Sequence, residues 1–128
     1  MVEDQSIEIE VFLLDTDKEE YPHFYNLLKT QIEEELGTES DVDIIDKESE
    51  EYIEGSQAIG EVIIGLVVKK ISEKIVSKIF NSFKNYLSRE ETPKKIRIRM
   101  CGNGMDLEGD LTKNDYKLLN NFINSNCI

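Results

Sequence analysis

The chain has 128 residues, 33% of them charged, and a formal net charge of −12. That length supports one domain with one core and leaves no room for a catalytic domain beside a regulatory one. The surplus of carboxylates disfavours nonspecific attraction to nucleic acid or to an anionic membrane surface. We therefore expect a single α/β domain over 1–128, with an ordered core over about 6–124.

"SIEIEVFLLD" (6–15) alternates Ile7, Ile9, Val11 and Leu13 against Ser6, Glu8, Glu10 and Phe12. A period of two predicts a strand. "DTDKEEYPHFYNLLKTQIEEELG" follows, in which Phe24, Leu28, Ile32 and Leu36 recur every fourth residue. This spacing predicts a helix with one buried face, capped near Asp17, with Pro22 in its first turn and Gly37 ending it. "DVDII" (41–45) reads as a short second strand, and "DKESEEYIEGSQAIG" reads as a polar connection.

The most apolar stretch starts at Val62 and runs uninterrupted to Val68, where Lys69 and Lys70 stop it. Seven residues fall far short of the ~20 that span a bilayer. Beyond the lysines, Ile71, Ile75, Ile79, Phe83 and Tyr86 form a stripe widened by Val76, Phe80 and Leu87. The two segments together are expected to make one long amphipathic helix, buried nearly all round in its first two turns. "TPKKIRIRM" then alternates Ile96, Ile98 and Met100 with Lys95, Arg97 and Arg99, as a strand does. "GNG" (102–104) signals a tight turn and "MDLEGDL" the return strand of a hairpin. A last helix is capped by Thr112, with Asp115 three residues on, and buries Tyr116, Leu119 and Ile123. The expected order is β-α-β-α-β-β-α: a small two-layer α+β sandwich with a mixed sheet of about four strands and its helices packed on one face.

Candidate chemistry is sparse. "VFLLDTDKE" resembles the nucleophile motif of haloacid-dehalogenase phosphatases, in which a first Asp attacks phosphorus and a second acts as general acid. Thr or Val normally stands two residues after the second Asp, where this chain has Glu19, so Asp15 and Asp17 read better as turn and cap residues. Asp41, Asp43 and Asp46 do not make a calcium loop, because Ile45 and Asp46 fill its fifth and sixth positions. His23, the one histidine, lies in a helix's first turn. A Cys–His nucleophilic pair has no sequence support, and Cys101 reads as a small buried residue at a strand end. "GSQAIGE" and "GNG" lack the Gly-Lys-Ser/Thr ending of a nucleotide loop, and Glu61 would occupy the anion position at the helix start read near it. No cofactor, metal site or catalytic set is expected.

Charge is the most specific surface signal. Residues 1–61 carry 20 acidic and 3 basic side chains, and residues 62–99 carry 3 acidic and 10 basic ones. Lys69, Lys70, Lys74 and Lys78, together with Lys95, Arg97 and Arg99, form a candidate docking face that would otherwise solvate or pair with the acidic half. Few aromatics stand among these cations, which counts against nucleic acid. Two cysteines are too few for a disulfide framework, and "MVEDQSIEIE" has no basic, apolar secretory pattern, so a reducing cytoplasm is the expected setting.

From about residue 7 to residue 123 the layout resembles the effector-associated constant component family, small α/β domains of bacterial conflict systems. The likeness rests on the opening strand and the "EELG" that ends the first helix. It extends to "EGSQAIGEVIIGLVV", where that family has a Gly-containing loop leading into a long apolar helix. "NSFKNYLSREETPKKIRIRM" and the Gly-turn hairpin "CGNGMDLEG" complete it, with Tyr86-Leu87 as the aromatic-Leu pair but without its usual tryptophan. The resemblance implies a noncatalytic adaptor of a bacterial defence system that couples an effector, such as a protease, to other components. The expected partner is a protein, with no nucleic acid or membrane, and a homo-oligomer is compatible with this reading. The alternative is an acidic immunity or phage anti-defence protein that blocks a basic partner or sequesters a small ligand.

Overall fold

The computed structural model describes residues 7–13, 21–48, 62–89 and 95–125. Asp15, Asp17, Glu61 and Cys127 lie outside these residues. The elements in chain order are β1 (Ile7–Leu13), α1 (Tyr21–Leu36), β2 (Val42–Glu48), β3 (Val62–Val68), α2 (Glu73–Leu87), β4 (Lys95–Met100), β5 (Asn103–Glu108) and α3 (Lys113–Ser125). The α+β class holds. The sheet, however, has five strands in the order β2-β3-β1-β4-β5, and every neighbouring pair is antiparallel, so it is not mixed. Its first four strands and two helices follow the split β-α-β-β-α-β arrangement, with β5 and α3 added at the end.

The largest correction concerns Val62–Val68, expected as helix and found as strand β3. Val62, Ile63, Ile64, Val67 and Val68 are β-branched, which favours the pleated backbone and costs side-chain freedom in a helix. β3 lies inside the sheet between β1 and β2, and on the face away from the helices its Gly65 is buried and its Val67 half-buried, so the run lacks the polar alternation of a half-exposed strand. Ile64, Leu66 and Val68 enter the core, while Val67 stands half-buried on the other face. The helix begins only after the lysines. Ser72 is its N-cap, with the Ile75 N–H donating to Ser72 Oγ at 3.2 Å, and Glu73 supplies negative charge in the first turn.

The rest of α2 is as its stripe predicts, with Ile75, Val76, Ile79, Phe80, Phe83, Tyr86 and Leu87 all buried. In α1, Phe24, Leu28, Ile32 and Leu36 are buried as well. The cap of α3 is reciprocal: Asp115 Oδ2 accepts from the Thr112 N–H at 2.8 Å, and Thr112 Oγ1 accepts from the Asp115 N–H at 3.4 Å. Buried side chains of all three helices join those of β1 to β5 in one cluster. Every strand residue in that cluster has the parity of Ile9, Ile64 and Ile98, so the helices cover one face of the sheet only.

Two turns are set by backbone constraints. At the end of α1 the Gly37 N–H donates to the Glu33 carbonyl at 2.8 Å, and a Cβ on Gly37 would stand 2.5 Å from that oxygen. The β4–β5 turn sits one residue earlier than the sequence suggests. Met100 pairs with Asn103, leaving Cys101 and Gly102 as the two loop residues, with φ of 51° and 85°. Two successive positive φ values are the pattern of a type I′ hairpin turn, whose twist matches the flanking strands. Cys101 is therefore exposed at the hairpin tip and not buried, and it is disulfide-bonded. The sequence's other cysteine is Cys127.

Gly37→Ala is expected to destabilise the fold by about 1–3 kcal/mol, read as a lower denaturation midpoint at unchanged slope, because the α1 end must reopen. Thiol titration of the denatured, unreduced chain is expected to find no free thiol. In reductant, Cys101→Asn is expected to be more stable than the parent, because Asn tolerates the left-handed region better.

Candidate docking face

With all three described helices on one side, no described helix covers the opposite face of the sheet. Strand alternation assigns its side chains. β1 contributes Glu8, Glu10 and Phe12; β2 contributes Asp43 and Ile45; β3 contributes Gly65 and Val67. β4 contributes Lys95, Arg97 and Arg99, and β5 contributes Asp106 and Glu108. The apolar members gather on the β2-β3-β1 side, and the cations stand in one column on β4.

Each β4 cation is held by a carboxylate. Arg97 lies directly across from Asp106 in the hairpin and makes a two-pronged contact, Nε to Oδ1 at 2.7 Å and Nη2 to Oδ2 at 3.2 Å. Lys95 Nζ reaches the same carboxylate at 3.7 Å. Arg99 lies across from Glu10 and contacts its Oε1 through Nε at 3.0 Å and Nη2 at 2.9 Å, while its guanidinium sits 5.2 Å from the Phe12 ring centroid. Cation–π attraction, a hydrogen bond and an ion-pair contact to one oxygen thus orient Arg99 across β1. The Arg97 hydrogen bond is the main cause that holds the Asp106 carboxyl below its ordinary value of 3.8, with smaller help from Lys95. The same hydrogen bond raises Arg97.

The seven cations of the candidate docking face divide between the two sides of the molecule. Lys95, Arg97 and Arg99 are on the open face, and Lys69 joins them through Asp43 at 3.6 Å. Lys74 and Lys78 belong to α2 on the helical side, where both meet Glu39 between α1 and β2, Lys74 at 3.5 Å. Glu39 is lowered chiefly by the Lys78 hydrogen bond, with Lys74 adding attraction. Lys70 is exposed in the bend before α2. Sequence reasoning thus found the cations but not Phe12, which lies beside Arg99, nor Ile45 and Val67 farther across the sheet. The signal for Phe12 and Ile45 was available in the first two strands, where apolar residues occupy positions of both parities.

Reactive groups are not assembled at this face. His23 is exposed on α1, its ring 5.2 Å from that of Phe24, and Cys101 has no thiolate to offer while it is in a disulfide. Among the described residues no group of three His, Cys, Asp or Glu could hold a metal ion, and no helix is long and apolar enough to cross a membrane. Comparison of the chain with protein-family models, with curated proteins and with solved structures gives no match.

Asp106→Asn is expected to unpair Arg97 and Lys95 while leaving the hairpin folded. A carboxyl lowered by folding contributes stability above its unfolded pKa and loses it as pH falls through the folded pKa. The parent should therefore lose stability more steeply than Asp106→Asn below about pH 4, read from denaturation midpoints across an acid series.

Proposed function

We propose that this chain is a noncatalytic protein-interaction module that docks a protein partner on the open face of its sheet, as an adaptor of a bacterial conflict system coupling an effector such as a protease. The observation that carries this reading is the face of the sheet that no described helix covers, where exposed Ile45 and half-buried Val67 and Phe12 lie to one side of a column of cations paired with carboxylates. Exposed apolar surface rimmed by oriented charges is the anatomy of a protein interface. Pinned arginines lose little conformational freedom on binding, so they serve specificity at low entropic cost.

A nucleic-acid partner fits this face less well. The carboxylates of Glu8, Glu10, Asp43, Asp106 and Glu108 would repel phosphate, and Phe12 is the one aromatic among the face's described side chains. A cytoplasmic setting belongs to the proposal, and it requires the Cys101 disulfide to be open there. The family likeness carries less weight once β3 is seen, since Val62–Val68 was read as the start of the family's long apolar helix and here forms a strand.

The test is affinity capture with the tagged chain, followed by direct titration of the recovered protein against purified variants. Val67→Lys should weaken that binding by tenfold or more while the domain stays folded, because Lys at that position has Asp43 and Glu8 directly across from it. The double change Lys74→Glu with Lys78→Glu, on the helical side, should leave affinity unchanged. The reverse pattern would move the interface to α2. A basic partner whose on-rate falls steeply with salt and which ignores Val67→Lys would favour the immunity or anti-defence alternative.

A further inference from the structure

β2 lies at the end of the sheet, and among the described residues no strand lies beyond it. Its pairing with β3 decides where its backbone points. The Lys69 N–H donates to the Asp41 carbonyl at 2.7 Å, in line with the register that sets Val42 against Val68 and Asp43 against Val67. In an antiparallel pair, hydrogen-bonded positions alternate with non-bonded ones. Odd-numbered β2 residues therefore spend their N–H and C=O groups on β3. Ile44, Asp46 and Glu48 turn theirs outward, along the sheet's edge, as does the Val42 carbonyl, while the Val42 N–H donates to the Glu39 carbonyl at 3.4 Å.

A strand edge of this kind pairs with any extended chain unless its side chains forbid it. The β2 sequence, "VDIIDKE", does not forbid its own copy. Two β2 strands related by a two-fold axis perpendicular to the sheet can overlap along their whole length only with Ile45 opposite Ile45. In that register position 43 falls opposite position 47 of the second copy, and 47 opposite its 43, so Asp and Lys are paired twice in sequence. Position 42 falls opposite 48 and 44 opposite 46, so no acid has an acid directly across from it in the register. The outward backbone groups of Ile44, Asp46 and Glu48, with the Val42 carbonyl, then become the hydrogen-bonded positions, as antiparallel geometry requires. Centring the pair on Asp43 or Asp46 opposes two like charges, which is unfavourable. Centring it on Ile44 leaves Glu48 without a partner and sets Asp43 against Ile45.

Exposure agrees with this. Ile45 is one of two large hydrophobic residues that the described structure leaves exposed, at 41%, and it sits at the point where the two-fold would pass. Asp43 keeps 58% of its side chain exposed, and its contact with Lys69, at 3.6 Å, leaves it oxygens for another cation.

We infer that the chain forms a symmetric homodimer through antiparallel pairing of its β2 edges in the Ile45–Ile45 register, joining two sheets into one of ten strands. The two open faces then lie side by side on one surface, with all helices on the other. The pairing is tested on the chain alone, whatever the open face binds.

The test uses the purified chain alone. Sedimentation equilibrium from about 1 to 500 μM should show a monomer–dimer equilibrium with a micromolar Kd. Lys47→Asp or Asp43→Lys alone puts like charges opposite at two symmetric positions and should weaken dimerisation about tenfold or more. The double variant Asp43→Lys with Lys47→Asp restores both pairs and should recover the parent's Kd, with circular dichroism confirming that every variant is folded. A parent that stays monomeric throughout overturns the proposal. So does a dimer indifferent to both single changes, or a folded double variant that remains monomeric.

Discussion

The structure depends on one strand that must be apolar on both sides. β3 is hydrogen-bonded to β2 on one edge and to β1 on the other, so it links the chain's first strand to the peripheral one. Its even-numbered residues, Ile64, Leu66 and Val68, supply the floor on which α1 and α2 pack. Its odd-numbered positions form the middle of the open face, where Gly65 stands between Ile45 and Glu10 in register. A polar residue at Ile64 or Leu66 would lose its water with no hydrogen-bond partner to replace it, and on the other face buried Gly65 and half-buried Val67 extend the apolar run to both parities.

The same property hid the strand from sequence reasoning. A run of seven apolar residues has no period, and joining it to the Ile75–Ile79–Phe83 stripe makes a plausible long helix. The signals against that reading were local: five β-branched residues, a lysine pair at the break and a serine in N-cap position three residues before Ile75. Elements with a clean period were legible, as in α2, in the reciprocal Thr112–Asp115 cap and in the alternation of β4. The turn at Cys101–Gly102 was not, because "GNG" advertises itself one residue downstream and nothing local marks Cys101 as the left-handed residue. Once the turn is placed, the Arg97–Asp106 pair follows from counting along the hairpin. The Glu10–Arg99 pair, 89 residues apart in sequence, follows only from knowing that β4 lies beside β1.

Tertiary pairing also changes what the charge asymmetry means. An acidic first half and a basic middle suggest attraction to an outside partner of opposite sign. In the folded chain much of that attraction is internal: Glu10 holds Arg99, Asp43 meets Lys69, and Glu39 takes both Lys74 and Lys78. Exposed pairs of this kind contribute little stability individually, about 0–1 kcal/mol. Their larger consequence is for recognition. A cation already facing a carboxylate steers a distant anion weakly, since the pair's field falls off faster than that of a lone charge. What remains at contact range is a patterned face, apolar towards β2 and charged towards β5, whose selectivity comes from position more than from net charge.

That gradient gives the β2 edge its functional weight. The apolar side of the face is the side nearest β2, so pairing two β2 strands brings the apolar halves of two faces together at the centre and places the β4 cation columns at the flanks. The result is one surface with an apolar middle and charged margins, the arrangement in which a buried patch is shielded from water by polar surroundings. A two-fold surface also selects for a partner that is itself two-fold or repetitive. Two weak contacts on such a partner bind far more tightly than either alone, because the second engagement is intramolecular. A single 128-residue domain with modest exposed apolar area could reach useful affinity by that route without a larger interface. Its occupancy would then depend on protein concentration through the dimer equilibrium.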